Sequence, residues 1–327
     1  MNDIPSPLLS VVVPLYNEED NVGELYQRLR HVMQEMQQNY ELVLVDNGSV
    51  DQTLSLIKAL RRDDPHVHYV SLSRNYGHQG GLMAGLHRAS GDVVISMDGD
   101  LQHPPELIPQ LMQKWREGYE VVFTLKREDP SQSHRRRWIN QTFYRFISYL
   151  SGLNLTGGQS DFRLMDRRAL DAMNSLPEYG KFLRGLSHWI GFRQIGVVFD
   201  VDERFAGHSK FQFSELLRFG LSGIFSFSVV PLRVFSILGL VMAFLSLLHV
   251  VYSLSRAIYL DLIGSPVVAG YPTLVTGIFF LGGLQLIGIG LLGEYVGRVL
   301  DEVKQRPLYI VRESSADREP PPAPPRR

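Results

Sequence analysis

The stretch Asp98-Gly99-Asp100-Leu101-Gln102 closes an apolar run, Val93 to Met97, with two carboxylates spaced i, i+2. Such a run reads as a buried strand, and carboxylates two apart at its extended end point to the same side. With the amide oxygen of Gln102 they offer the hard oxygen donors that Mg²⁺ or Mn²⁺ takes, and leave coordination positions for substrate phosphates. A bare Asp-x-Asp is more often a polar turn, so assigning Asp98, Asp100 and Gln102 to a metal depends on their surroundings.

Those surroundings are other strand ends. Strands are expected at Leu9 to Leu15, Leu42 to Val45, Val67 to Leu72, Val93 to Met97 and Val121 to Leu125. Helical patterns lie between them, near Val22 to Gln37, Leu54 to Arg62, Leu82 to Ala89 and Leu107 to Glu117. The alternation predicts an α/β domain with a mostly parallel sheet and helices on both faces. Ligands of such sheets sit at the carboxyl ends of the strands. There the chain places Pro14-Leu15-Tyr16-Asn17-Glu18, Asp46-Asn47-Gly48-Ser49, Ser73-Arg74-Asn75-Tyr76-Gly77 and the Asp-Gly-Asp, four motifs that make one composite site. Asp46 taken alone could cap the helix that begins at Asp51; the agreement of its neighbours favours nucleotide contact.

The chain has 327 residues, more than one average domain, and a formal net charge of -1, which gives no argument for nucleic acid as a partner. It has no cysteine, so disulfides, thiolate metal sites and cysteine nucleophiles are excluded. Met1 to Pro7 carries neither a basic nor an apolar region, and no cleavable signal peptide is expected. The sequons at Asn47, Asn140 and Asn154 are accordingly read as accidental.

Two uncharged runs, Val234 to Ser255 and Thr273 to Leu292, have the length of about 20 residues that a hydrocarbon core of ~30 Å requires, and together predict a membrane hairpin within 233–298. Arg204, Lys210, Arg218 and Arg233 flank it on one side and Arg298, Lys304 and Arg306 on the other. The positive-inside bias therefore puts both termini and the whole preceding domain in the cytoplasm, on a plasma (inner) membrane. Gly288-Ile289-Gly290-Leu291-Leu292-Gly293 fits a dinucleotide-binding pattern, but no strand is expected before it; small residues permitting close helix approach are the better reading. From Arg312 to Arg327 the Pro- and charge-rich tail is expected to be disordered.

These motifs resemble glycosyltransferase family 2 enzymes of the GT-A fold that use polyprenyl phosphate as acceptor. Val12-Val13-Pro14-Leu15-Tyr16-Asn17-Glu18, Val45-Asp46-Asn47-Gly48-Ser49-Val50-Asp51, Arg74-Asn75-Tyr76-Gly77 and Asp98-Gly99-Asp100-Leu101-Gln102 match in order and spacing. Ser160-Asp161-Phe162-Arg163-Leu164-Met165 and Arg204-Phe205-Ala206-Gly207-His208-Ser209-Lys210 are similar to the dolichyl- and undecaprenyl-phosphate sugar transferases, bactoprenol glucosyltransferases above all. Two positions depart from the usual pattern: Asn47 stands where a second Asp is common, and His208 where an acidic residue is.

The resemblance implies a GT-A catalytic domain over 1–210, an interfacial juxtamembrane helix over 211–232, the hairpin, and a cytosolic tail over 299–327. It implies transfer of glucose from UDP-glucose to undecaprenyl phosphate with inversion, and a homo-oligomer, a tetramer. Another sugar, mannose or a modified arabinose, is the alternative. By the same resemblance Asp46 and the loop bearing Pro14, Tyr16 and Glu18 hold the base, with Arg74 also on the nucleotide sugar. Asp98 approaches ribose and metal, while Asp100 and Gln102 complete the metal site. Asp161 matches the catalytic Asp, Arg204 and Lys210 close over the phosphates, and Arg127, Arg136 and Arg137 are candidates for the acceptor phosphate.

Arg135-Arg136-Arg137 could equally be a solvated run. It precedes Trp138, Ile139, Phe143, Phe146, Ile147 and Leu150, a stripe that fits either a helix lying on the membrane or one facing the core. A processive synthase would need Gln-x-x-Arg-Trp, and Gln132-Ser133-His134-Arg135-Arg136 lacks the Trp. A flippase would need a polar path through the spans. A non-enzymatic scaffold with a decayed transferase domain is disfavoured by the intact Asp98, Asp100, Gln102 and Asp161.

Overall fold

The structure, a computed structural model, describes residues 7–127, 158–176, 183–200, 230–262 and 271–315. The chain divides into two compact units, one built on a sheet and one on two long helices, each described by itself.

In the first unit β1 (Leu9–Leu15), β2 (Tyr40–Asp46), β3 (Val67–Leu72) and β4 (Val93–Ser96) alternate with α1 (Val22–Met36), α2 (Thr53–Asp63) and α3 (Gly77–Arg88). After a short 3₁₀ turn at Pro105–Leu107 come α4 (Ile108–Arg116) and β5 (Val121–Lys126). Then follow β6 (Gln159–Asp166), α5 (Arg167–Asn174), α6 (Leu183–Trp189) and β7 (Gln194–Phe199). The sheet order is β7-β5-β6-β4-β1-β2-β3-β8, where β8 is Val311–Ser314.

Both faces of the central strands are covered, which is why they read as unbroken apolar runs rather than alternating ones. Leu9, Val11, Val13 and Leu15 of β1 join a core with Leu25, Leu29 and Met33 of α1 and Leu111 and Met112 of α4. On the opposite face α3 comes so close that a Cβ at Gly85 would collide with the side chains of Val12 and Val45. Each fully buried Val or Leu contributes ~1.5–3 kcal/mol, and this face tolerates no larger residue than glycine at that crossing.

The expected five-strand rhythm is present, with one insertion that builds the site. β6 runs antiparallel between β4 and β5, pairing Ser96 with Arg163. Two residues beyond that pair lie Asp98 on one strand and Asp161 on the other. The start of an antiparallel strand thus reaches the same edge as the ends of the parallel ones.

The tail expectation needs correction: residues 311–314 form β8, antiparallel to β3. Ser73 N donates to Ile310 O (2.9 Å), Tyr69 N to Ser315 Oγ (2.8 Å), and Lys58 Nζ meets Glu313 at 2.6 Å. The strand satisfies an edge of β3 that would otherwise be unpaired, a gain that local composition does not register. The Pro-rich remainder, 316–327, lies outside the described residues, as do 128–157 and 201–229 with the two interfacial segments expected there.

The second unit consists of α7 (Val230–Leu262, 33 residues) and α8 (Tyr271–Lys304, 34 residues), which contain the two expected spans. Among the described residues, Phe280–Lys304 is the helical stretch long and apolar enough to cross a membrane. The glycine pattern at 288–293 sits inside α8, so it is no phosphate loop. A Cβ at Gly288 would meet the Phe235 ring of α7, the close approach expected there, whereas Gly290 and Gly293 have nothing within 4 Å.

Candidate active site

The tip of β4 is held by a buried imidazole. His103 Nδ1 accepts the backbone N–H of Asp98 (3.0 Å), which requires its proton on Nε2, and Nε2 then donates to Ser160 Oγ at 2.6 Å. Burial pushes the His103 pKa down, against the pull of Asp98, so the neutral tautomer persists. One side chain therefore ties the Asp-Gly-Asp loop to β6 beside Asp161.

Within that loop Leu101 takes a left-handed backbone (φ 62°) although it is not glycine, a conformation costing ~1–2 kcal/mol. The turn brings Gln102 N to Asp100 Oδ1 at 3.2 Å. Asp98 Oδ1 is buried and accepts no hydrogen bond. A carboxylate oxygen left in that state is suited to a cation. Among the described residues no group of three or more His, Cys, Asp or Glu gathers as a metal cage. Two carboxylates and an amide fit the Mg²⁺ or Mn²⁺ habit of sharing coordination with substrate phosphates.

Asp161 is 6% exposed and grips Arg184 of α6, with Nε to Oδ1 and Nη2 to Oδ2 both at 2.9 Å. Its Oδ2 lies 3.4 Å from His78 Nε2, and its Oδ1 is 3.9 Å from the buried guanidinium of Arg163. Burial alone would raise the Asp161 pKa, but Arg184, His78 and Arg163 outweigh it and hold the carboxyl well below the usual range. Arg163 in turn donates to Leu183 O (3.2 Å), Ser187 Oγ and Ser160 O (3.3 Å), pinning α6 to β6. Burial, opposed by Asp161, pushes its pKa down to about 10, still a cation at neutral pH.

The motifs at the ends of β1, β2 and β3 are joined loop to loop. Asn17, also left-handed (φ 54°), donates its N–H to Ser49 Oγ (3.1 Å) and accepts from Val50 N (2.9 Å) on its side-chain oxygen. Glu18 N donates to Thr53 Oγ1 (2.9 Å), and its carboxylate accepts from the Asn21 amide. Asp46 is buried, accepting from Ser49 N (3.0 Å) and Ser71 Oγ (2.7 Å). Just ahead of α2, Asp51 accepts from Thr53 N (3.0 Å), so Asp46 is not engaged with that helix start. Asn47, the departure from the family pattern, accepts from Tyr76 N (3.0 Å) and donates to Gly77 O (2.9 Å); an Asp would lose that second bond. Gly48 has φ +74°, and a Cβ there would run into the Arg74 and Asn75 backbone.

Tyr16 is exposed beside the half-buried Pro14, and Arg74 stacks on Tyr76 with its guanidinium 4.2 Å from the ring centroid. Arg127, at the end of β5, is exposed and pairs with Asp200 at 3.2 Å. Arg136, Arg137, Arg204 and Lys210 lie outside the described residues.

Sequence reasoning missed three contributors. His103 follows Gln102 of the Asp-Gly-Asp-Leu-Gln stretch, and His78 follows Gly77 by one residue, so both were within reach of an extended motif. Arg184 sits on a seven-residue helix with no local pattern to mark it.

Residues 10–173, half of the chain, match the family described as Glycosyl transferase family 2. The chain belongs to glycosyltransferase family 2. Residues 230–299 of this transferase match the GtrB C-terminal hairpin. It is 42% identical over 303 residues to an uncharacterized glycosyltransferase of Synechocystis, covering 93% of this chain and 94% of that one. To the prophage-derived bactoprenol glucosyl transferase of Shigella flexneri it is 40% identical over 306 residues, covering 94% and 98%. Among solved structures it resembles glucosyl-3-phosphoglycerate synthase from Mycobacterium tuberculosis, with 21% identity, 67% and 76% coverage and a TM-score of 0.47.

Proposed function

We propose that this transferase moves glucose from UDP-glucose to a polyprenyl phosphate, undecaprenyl (bactoprenol) phosphate, with inversion at the anomeric carbon. The observation that carries the reading is the match to bactoprenol glucosyl transferases through catalytic domain and hairpin alike, at 40% identity over 94% of the chain. A soluble sugar donor needs only the first unit. A hairpin is accounted for when the acceptor is itself a membrane lipid.

In this reading the loop of Pro14, Tyr16 and Glu18, with Asp46 behind it and Arg74 beside it, receives the nucleotide. Asp98, Asp100 and Gln102 hold Mg²⁺ or Mn²⁺, which when bound neutralises charge on the donor diphosphate. Arg204 and Lys210 add positive charge there, and Arg127, Arg136 and Arg137 receive the acceptor phosphate. An acceptor phosphate oxygen attacks the anomeric carbon in one displacement as the bond to the diphosphate breaks, so no covalent enzyme intermediate forms. Asp161, held ionised by Arg184, orients cations on the acceptor side rather than removing a proton.

In this reading the catalytic unit and both termini lie on the cytosolic face. A cysteine at Ser265 of this cysteine-free chain is then labelled by an impermeant maleimide in intact cells; labelling only after lysis contradicts that topology. The donor is tested by incubating the purified full chain with undecaprenyl phosphate and labelled UDP- and GDP-sugars. Glucose from UDP-glucose should dominate the lipid product; preference for mannose or a modified arabinose overturns the assignment.

A further inference from the structure

We infer that His78 is a positioning residue of the transfer reaction, an imidazole wedge that fixes the separation of the donor-side carboxylate Asp98 from the acceptor-side carboxylate Asp161. This rests on the reading of the reaction given above. His78 Nε2 lies 3.5 Å from Asp98 Oδ1 and 3.4 Å from Asp161 Oδ2. Both contacts are long, the shorter one with Asp161, so the ring bridges the two carboxylates.

The ring is mounted on a fixed point. Gly77, directly before it, donates its N–H to Asn75 Oδ1 (2.7 Å) and accepts from Asn47 Nδ2 (2.9 Å), so both faces of the entry to α3 are anchored. One turn on, a Cβ at Gly81 would press on Asn47 and Pro14, and Gly85 abuts Val12 and Val45. The helix cannot slide toward or away from the strand tips. The His78 side chain is nevertheless 43% exposed, so the ring edge is open to solvent between the two carboxylates.

A single inverting displacement needs nucleophile and leaving group on opposite sides of the anomeric carbon, and misplacement costs ~10²-fold in rate. Asp98 belongs to the diphosphate side and Asp161 to the acceptor side. A group touching both stands where the two halves of the site meet, at the level of the transferred sugar. It also keeps apart two carboxylates that would repel each other at close range.

The test is steady-state kinetics of the full chain with three variants. His78→Leu should lower kcat ~10²-fold while leaving KM for UDP-glucose within about threefold, because alignment and not donor binding is lost. His78→Gln, whose amide nitrogen reaches about as far as Nε2, should recover most of that loss. In an Asp161→Asn background, His78→Leu should cost far less than it does alone, since both act on one alignment. Unchanged kcat in His78→Leu, or equal loss in the Leu and Gln variants with matching falls in melting temperature, overturns the inference. Should the wild type transfer a sugar other than glucose, only the functional reading fails, and the variants are compared with that sugar.

Discussion

Arg184 holds Asp161 by two parallel hydrogen bonds, Nε to Oδ1 and Nη2 to Oδ2, each 2.9 Å, on a carboxylate that is almost wholly buried. Such a forked pair is strong and geometrically specific, and it makes Asp161 a group built to keep its charge. A carboxylate so stabilised is a weak base.

Arg184→Met should leave that charge buried without its main partner. Breaking a fully buried pair costs 3–5 kcal/mol; the 26% exposure of the Arg184 side chain reduces the expectation to about 2–3 kcal/mol. The pH sign follows from linkage. The folded pKa of Asp161 lies below its unfolded value, so its stabilisation is present above about pH 4 and is lost as pH falls through the folded pKa. Thermal melts should show the variant's deficit in full at neutral pH and a smaller one in acid. A deficit independent of pH would mean that the pair contributes packing alone.

Asp161→Asn keeps the shape and one acceptor oxygen while removing charge and basicity. An acceptor phosphate with a second pKa of about 6 is already largely dianionic at neutral pH and needs little help losing a proton. The variant should therefore lose ~10²-fold in kcat uniformly from about pH 6.5 to about pH 8.5. A rate that recovers steeply as pH rises would identify proton removal as the role of Asp161.

Asp100→Ala should abolish transfer, since it removes one of few protein oxygens available to the cation on the diphosphate. The loop is near the surface, so melting temperature should stay within a few degrees of wild type. Wild-type activity persisting in excess EDTA would remove the metal from the account.

Ending the chain after Gln305 removes β8 and strips β3 of its antiparallel partner. It also removes Tyr309, whose hydroxyl lies 2.8 Å from His87 Nδ1 on α3. Amide exchange should accelerate around Ser71 and Ser73, whereas ending the chain after Ser315 should leave it unchanged. Equal protection in both truncations would show that β8 contributes nothing to the edge.

The sheet and helices that carry the strand-end motifs were legible because their signals are local. β1 and β3 fall at their expected bounds and the other expected elements within about two residues, except α3, which begins at Gly77 and not at the expected Leu82. β6 was not expected as a strand, because Ser160, Asp161 and Arg163 break its apolar pattern and yet are buried. Their burial is tolerated only through partners far along the chain: His103 for Ser160, and Arg184, Leu183 and Ser187 for the other two. β8 was hidden for a related reason, since what it gains is the open edge of a strand some 240 residues earlier. Asp98, Asp100 and Asp161 could be named from motifs; that His78, His103 and Arg184 converge on them is a tertiary fact.

The most direct measurement is the anomeric configuration of the lipid product formed from α-configured UDP-[¹³C]glucose and undecaprenyl phosphate by the purified full chain, read by NMR. Inverting transfer gives β-linked glucosyl phosphate on the lipid. An α-linked product, or glucose that never enters the lipid fraction while the protein remains folded, would contradict it.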